Sequence, residues 1–424
     1  MRVRNRRQMN TNDIILHETT VEGNRVTFQF EPRGTMKEYF TTNTMFLEYD
    51  KPMTNVPVSI LNIAFVSSVI PLIWLTDATL WVYDIDRTYY EALLRIKSAY
   101  QDLYSQCKLG GIFVPARVTA TTYTPERESL LLFGGGVDAH TTFLRIKETL
   151  PIICHIQGWF DSISECSERT AEKECGDIML FANSNHLPFA YVKSNFAALV
   201  DSKKFALTIG KRIGDSWWHG FQHSMSFISI AMPLCYLYKV RNVYIGSSFS
   251  VGHAGFCSSY ATTDIEFRFA TVGGCIHDAF DVSRQGKVSL LVDYQKRIDK
   301  PYPICVCSFN QKNCCTCEKC FRTVLEITAA GGDPHNFGFD IHGKLKPFYQ
   351  NVMAERIAFY DVKGESKKHW PDIKKRMREN YQNIEEKDFV DWFLSYDFLG
   401  QRKKALRQYY RKNFFSILKR KIFH

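Results

Sequence analysis

Two stretches of this chain hold residue types at spacings that can do chemistry. The first is residues 128–143, ESLLLFGGGVDAHTTF, where a short apolar run leads through Gly134, Gly135 and Gly136 into Val137, Asp138 and Ala139. Successive glycines let backbone N–H groups converge on an anion, and a helix starting directly behind them adds the positive end of its dipole. Asp138 can close such a loop by accepting backbone N–H groups, or orient a Mg²⁺ ion. The second stretch is Cys305-x8-Cys314-x2-Cys317-x2-Cys320. Four thiolates at these intervals can close a tetrahedral Zn²⁺ site of the structural kind, with the CxxC pair on a knuckle entering a helix. Cys307 and Cys315 are spare, and either can stand in for Cys305 or Cys314.

Polar residues between the two stretches add candidates. Residues 242–245 read as a strand ending in Gly246-Ser247-Ser248, a small-residue turn, and in an open parallel sheet ligands sit outside the carboxyl ends of strands. Beyond it come Asp264, His277, Asp278, Arg284 and Lys287, which can face the same edge. Arg284 and Lys287 can bring cations to a bound carboxylate or phosphate group. The pair His277-Asp278 can serve acid–base work, with Asp264 a candidate for holding the substrate. Trp217-Trp218-His219-Gly220 can wall a nucleotide pocket. Each has a plainer reading: a tight strand-to-helix turn for the glycines, solvated surface for the charges, core packing for the tryptophans.

The elements that must position these groups follow from periodicity. Short apolar strands at 129–133, 151–156, 189–193, 242–245 and 274–277 alternate with helices at 139–148, 165–183, 221–238 and 318–330. That alternation predicts an α/β domain over 128–335, a Rossmann-like parallel sheet with helices on both faces. The 221–238 helix is apolar nearly all round and should be buried. Residues 1–127 read as a separate α+β module, with strands at 24–30, 44–49, 79–82 and 112–120 and a helix capped by Asp86 running through 99. After residue 332 the pattern turns to charged, aromatic-rich helices at 371–383, 386–396 and 401–421, which make 336–424 a helical, basic C-terminal region.

Composition bounds the class. A chain of 424 residues with 45% hydrophobic and 23% charged residues has ample core for two or three domains. The net charge of +10 is uneven: Arg2, Arg4, Arg6 and Arg7 crowd the start, and residues 401–424 hold nine Lys or Arg and no Asp or Glu. The body is close to balance, so the charge does not argue for nucleic acid. The tail sets Leu406, Tyr409, Tyr410, Phe414 and Ile417 among its cations, an apolar stripe that can meet an anionic membrane surface or a protein partner. The 13 cysteines cluster as metal ligands do in a reducing compartment, and no apolar signal segment follows the basic start, so cytoplasm is the expectation. Residues 52–76 carry no charge and are long enough to span a bilayer, yet Pro57, Pro71, Asn62 and three serines favour a buried helix.

The glycine loop, GGGVDA, resembles the SGGxDS loop of the PP-loop ATP pyrophosphatases: Gly135, Gly136 and Asp138 match, while Gly134 and Ala139 stand where that family has serines. The stretch CVCSFNQKNCCTCEKCFR is similar to the C-x8-CGxCxxC-x-R ending of the 7-cyano-7-deazaguanine synthases in that family, with Cys315 at the usual glycine and Arg322 at the usual arginine. The resemblance covers about half the chain, residues 128–335. It implies ATP bound over residues 134–139 and near Ser247 and Ser248, with Mg²⁺, and a closed zinc clasp on the cysteines. It further implies ATP cleavage to AMP and pyrophosphate while a carboxylate is activated as an acyl-adenylate, which an amine or ammonia then attacks. The acid would be a 7-deazapurine carboxylate or a related small molecule, joined to a protein partner or protein substrate in a defence system. A homodimer is compatible with this reading. Two rivals stand beside it: a muramoyl-dipeptide glutamate epimerase of the cell wall, and a nucleotide-binding scaffold without turnover, for which the two lost serines are the evidence.

Overall fold

The computed structural model describes residues 12–158, 165–252, 255–307, 313–352 and 366–414. The arginines expected at the N-terminus and Ile417 lie outside them. The described residues fall into two compact units, one drawn from 1–134 and 142–281, the other from 135–141 and 282–424.

The first unit holds β1 (Asp13–Glu22), β2 (Arg25–Pro32), β3 (Thr44–Tyr49), β4 (Thr79–Asp86), β5 (Ile112–Thr119), β6 (Arg127–Leu132), β7 (Ile152–Gln157), β8 (Phe189–Ser194), β9 (Val240–Gly246), β10 (Arg268–Phe269) and β11 (Gly273–Asp278). They form one sheet in the order β10-β11-β9-β6-β7-β8-β3-β2-β1-β4-β5. The run β11-β9-β6-β7-β8 is parallel throughout, as the alternation of strands and helices predicts. Its inner strand β7 is buried at all six positions, so both faces of the sheet are covered there.

The N-terminal strands do not make a sheet of their own. Strand β3 pairs antiparallel with β8, Leu47 opposite Ser194 and Tyr49 opposite Val192, so β1 to β5 extend the parallel run. A boundary at residue 127 therefore does not divide the sheet. Pairing satisfies the edge of β8 that the parallel run leaves open.

Helices of this unit include α1 (Val58–Thr76), α2 (Arg87–Leu103), the second half of α3 (Val137–Ile146), α4 (Glu165–Ser184), α5 (His223–Leu237) and the single turn α6 (Ala261–Asp264). Helix α1 is long and apolar enough to cross a membrane, but almost its whole length is inside the protein. Several of its polar side chains are satisfied there, although the buried Ser59 hydroxyl has no hydrogen-bond partner among the described residues. Asn62 donates to the Asp84 carbonyl at 2.7 Å and accepts from Thr19 at 2.7 Å, while Ser67 meets the Tyr89 hydroxyl at 2.6 Å. Helix α5 is buried along most of its length, as its all-round apolar sequence requires. Asp86 caps α2 by accepting from the Tyr89 amide at 3.0 Å.

The second unit contains the loop Gly135–Thr141 and the helices α7 (Arg284–Ile298), α8 (Glu318–Ala329), α9 (Leu345–Val352), α10 (Ser366–Glu379), α11 (Lys387–Ser395) and α12 (Phe398–Lys412). Its core is aromatic. Phe321 of α8 lies edge-on to Tyr349 at 4.4 Å and to Trp370 at 5.9 Å, and Tyr349 stacks on Phe389 at 5.0 Å.

Candidate functional site

Gly135, Gly136 and Asp138 of the glycine loop, the helix carrying Arg284 and Lys287, and the cysteine knuckle all belong to the second unit. Gly135 has φ +70°, a left-handed conformation that costs an L-residue with a Cβ strain. Its neighbours are glycines for no packing reason. A Cβ on Gly136 would meet only the Cys305 carbonyl at 3.7 Å, and one on Gly134 would meet nothing within 4 Å. The loop thus keeps open space along its backbone, as a cradle for an anion does. The His140 amide donates to the Gly136 carbonyl at 3.0 Å, and the His140 ring meets the Tyr302 hydroxyl at 2.9 Å. Burial holds the His140 imidazole far down, at about 3, so it is a neutral wall behind the loop.

Asp138 sits in the first turn of α3, where the helix dipole favours an anion. It faces two cations. Lys287 Nζ lies 3.2 Å from Oδ1, and Arg284 Nη1 lies 3.5 Å from Oδ2. Both cations come from the start of α7, which Ser283 caps by accepting from the Gly286 amide at 3.1 Å. The Lys287 side chain is only 1% exposed. Arg284 is held from its other side: Nε donates to Glu326 Oε2 at 3.2 Å and Nη2 to Thr323 Oγ1 at 3.3 Å. Burial works against the Arg284 charge, but the carboxylates of Glu326 and Asp138 outweigh it and raise its pKa above the ordinary value. Glu326 Oε1 is buried with no hydrogen-bond partner among the described residues, a costly state for a carboxylate oxygen. One turn back on α8, Arg322 pairs with Glu318 at 3.4 Å.

The knuckle gathers Cys307, Cys314, Cys317 and Cys320, whose sulfurs all lie within 4.8 Å of one another. Cys314 and Cys320 are 3.9 Å apart, Cys317 and Cys307 4.0 Å. Four thiolates at about 2.3 Å from a zinc ion would stand roughly 3.8 Å apart, so the set fits the metal closely. Hydrogen bonds favour thiolates: the Cys317 amide donates to Cys314 Sγ at 3.3 Å and the Cys320 amide to Cys317 Sγ at 3.5 Å. The thiol of Cys320 shares a proton with Cys317, which lowers Cys317 and raises Cys320; backbone and hydroxyl bonds from Thr316 lower Cys314 against the effect of burial. Cys315 adopts φ +57°, a left-handed geometry that glycine enters most readily.

The fourth member of the set is Cys307, which corrects the expectation of Cys305. Asn313 settles the choice. Its side chain accepts from the Val306 amide at 3.0 Å and donates to the carbonyls of Ile304 at 2.8 Å and Gly338 at 3.2 Å, fixing the approach of this segment to the knuckle. Cys307 is then buried, whereas the Cys305 side chain is exposed and its amide donates to the Gly135 carbonyl at 2.8 Å.

The remaining expected residues lie in the sheet unit, as does Gly134. His277 and Asp264 are not surface groups. Nδ1 of His277 lies 2.8 Å from Asp264 Oδ2, with side chains 1% and 0% exposed, and Ser259 donates to the same oxygen at 2.6 Å. His277 Nε2 is buried with no hydrogen-bond partner among the described residues. Asp278 turns the other way and accepts from Arg145 Nε at 3.0 Å. Ser247 uses its hydroxyl to close its own turn, donating to the Phe249 carbonyl at 2.8 Å, while Ser248 is exposed. Trp217 is core, 1% exposed.

Glu326, Thr323, Tyr302 and Asn313 escaped the sequence reading. So did α7 itself, although Ser283 as a cap and Val288, Leu291 and Val292 at helical spacing signal it. Comparison of the chain with protein-family models, with curated proteins and with solved structures finds no match.

Proposed function

We propose that the second unit binds the phosphates of ATP at the glycine loop and supports transfer of the adenylyl group to a carboxylate, with release of pyrophosphate. The observation that carries this reading is the placement of Arg284 and Lys287 against Asp138 on a loop whose glycines leave its backbone open. In this reading the amides of Gly135, Gly136, Val137 and Ala139 meet the phosphate oxygens, and Arg284 and Lys287 counter the charge that builds on the leaving pyrophosphate. Asp138 is the carboxylate that would hold Mg²⁺, which would supply positive charge to the phosphates. The acid's oxygen attacks the α-phosphorus, the bond to the bridging oxygen breaks, and pyrophosphate leaves with the electron pair. An amine then displaces AMP from the acyl-adenylate. Glu326, with one oxygen unpaired, supports a bound group that presents an N–H or O–H.

The four cysteines would hold zinc in a closed set with no open position, so no step of the reaction is assigned to it. A 7-deazapurine carboxylate is the first acid to try. Purified protein incubated with Mg²⁺ and ATP labelled at the α- and γ-phosphates should release AMP and pyrophosphate when the right acid is present, and Asp138→Ala should abolish the release. Turnover that survives in Asp138→Ala refutes the site. Tight ATP binding without turnover for any acid or amine would favour the scaffold reading, to which the missing hydroxyls at Gly134 and Ala139 point.

A further inference from the structure

Helix α12 presents a mixed stripe that the nucleotide reading does not use. Lys403, Arg407, Tyr410 and Arg411 are spaced so that they share one side of the helix, Phe414 follows two residues past its end, and all five are exposed. Tyr410 and Phe414 are each 55% exposed, unusual for aromatic rings of this size. The sequence continues this mixture with FSILKRKIFH, and residues 401–424 hold no acidic side chain.

We propose that this stripe is a docking surface for an anionic lipid bilayer. A phosphate backbone would pair with the cations and leave both rings in water. A membrane interface takes both: cations stay at the headgroups, while aromatic and aliphatic side chains enter the boundary with the acyl chains. The absence of any Asp or Glu over residues 401–424 matches the negative surface potential of such a leaflet, where each nearby cation raises partitioning roughly fivefold. Helix α1 plays no part, being buried. The proposal stands independently of the adenylation reading.

The test is sedimentation of the full chain with vesicles of phosphatidylcholine containing about one third phosphatidylserine, and with vesicles of phosphatidylcholine alone. The chain should bind the anionic vesicles and release in high salt. Lys403→Glu/Arg407→Glu/Arg411→Glu should lose at least tenfold in binding. Tyr410→Ser/Phe414→Ser should lose several-fold with its charge intact, while its binding to heparin stays unchanged. Circular dichroism checks that each variant is folded. Absence of vesicle binding overturns the proposal. So does vesicle binding that the aromatic double variant leaves intact, or tighter binding to a DNA duplex than to the anionic vesicles.

Discussion

Replacing Lys287 by methionine removes an ammonium whose side chain is 1% exposed and which lies 3.2 Å from Asp138 Oδ1. At an effective dielectric of about 20, that separation corresponds to a gross attraction of about 5 kcal/mol. Desolvating the lysine consumes several kcal/mol of it. Arg284, 3.5 Å from the other oxygen, still faces Asp138 in Lys287→Met, so that variant should lose only about 1–2 kcal/mol. Asp138→Asn removes the anion from both cations and should lose more, about 2–3 kcal/mol. The double variant should lose less than the sum of the two, leaving a coupling of about 1–3 kcal/mol. Urea unfolding of the four proteins at neutral pH gives all these quantities. A coupling below about 0.5 kcal/mol would mean that solvent screens the pair as it screens surface ion pairs, and the cluster would not be the preformed anion site described above.

Metal analysis should find about one zinc per chain; Cys307→Ser and Cys317→Ser should lose it, whereas Cys305→Ser should keep it. Gly135→Ala, at φ +70°, should destabilise the chain by about 1 kcal/mol or more and weaken ATP binding. Gly134→Ser with Ala139→Ser should fold, since a Cβ at 134 meets nothing, and should raise AMP release if the lost hydroxyls limit turnover. Burial depresses His140 to about 3 and His155 to about 4 in the folded chain. Because the unfolded chain takes up these protons first, near pH 6.5, stability is full above that pH. It should fall as pH drops towards 4, by up to about 1.4 kcal/mol per pH unit for each histidine. Urea midpoints at pH 7 and pH 5 check this, and His155→Gln should reduce the slope; an unchanged slope would refute the assignment to His155.

Much of this architecture is legible in local sequence. The strand over residues 44–49 and the Asp86 cap follow from alternation and capping chemistry, and the glycine loop with Asp138 from backbone geometry. What local sequence cannot give is the partner of an open strand edge. Leu47 pairs with Ser194 across a long separation, and nothing near either residue specifies it. Strand β1 was missed because a charged, threonine-rich second half hides its apolar start. The site shows the same division. Arg284 and Lys287 declare themselves by chemistry. Glu326 does not, because a glutamate on an amphipathic helix reads as solvated until the fold buries it. Cysteine spacing left 305 and 307 degenerate, and the side chain of Asn313, next to Cys314 but not itself a ligand type, resolves them.

Cys317 has two roles at once. Its sulfur is one of the four that can hold zinc, and it also caps α8 by accepting from the Cys320 amide. The same helix carries Thr323 and Glu326, which hold Arg284 against the loop. Metal and helix start therefore share an atom, and stripping the metal should fray the first turn, seen as faster amide hydrogen exchange at the start of α8. Thermodynamic linkage then makes the effect reciprocal: whatever anion Arg284 grips should tighten equilibrium zinc binding by the same free energy by which zinc tightens the anion. A metal on those sulfurs would in that sense be a store of affinity for the loop.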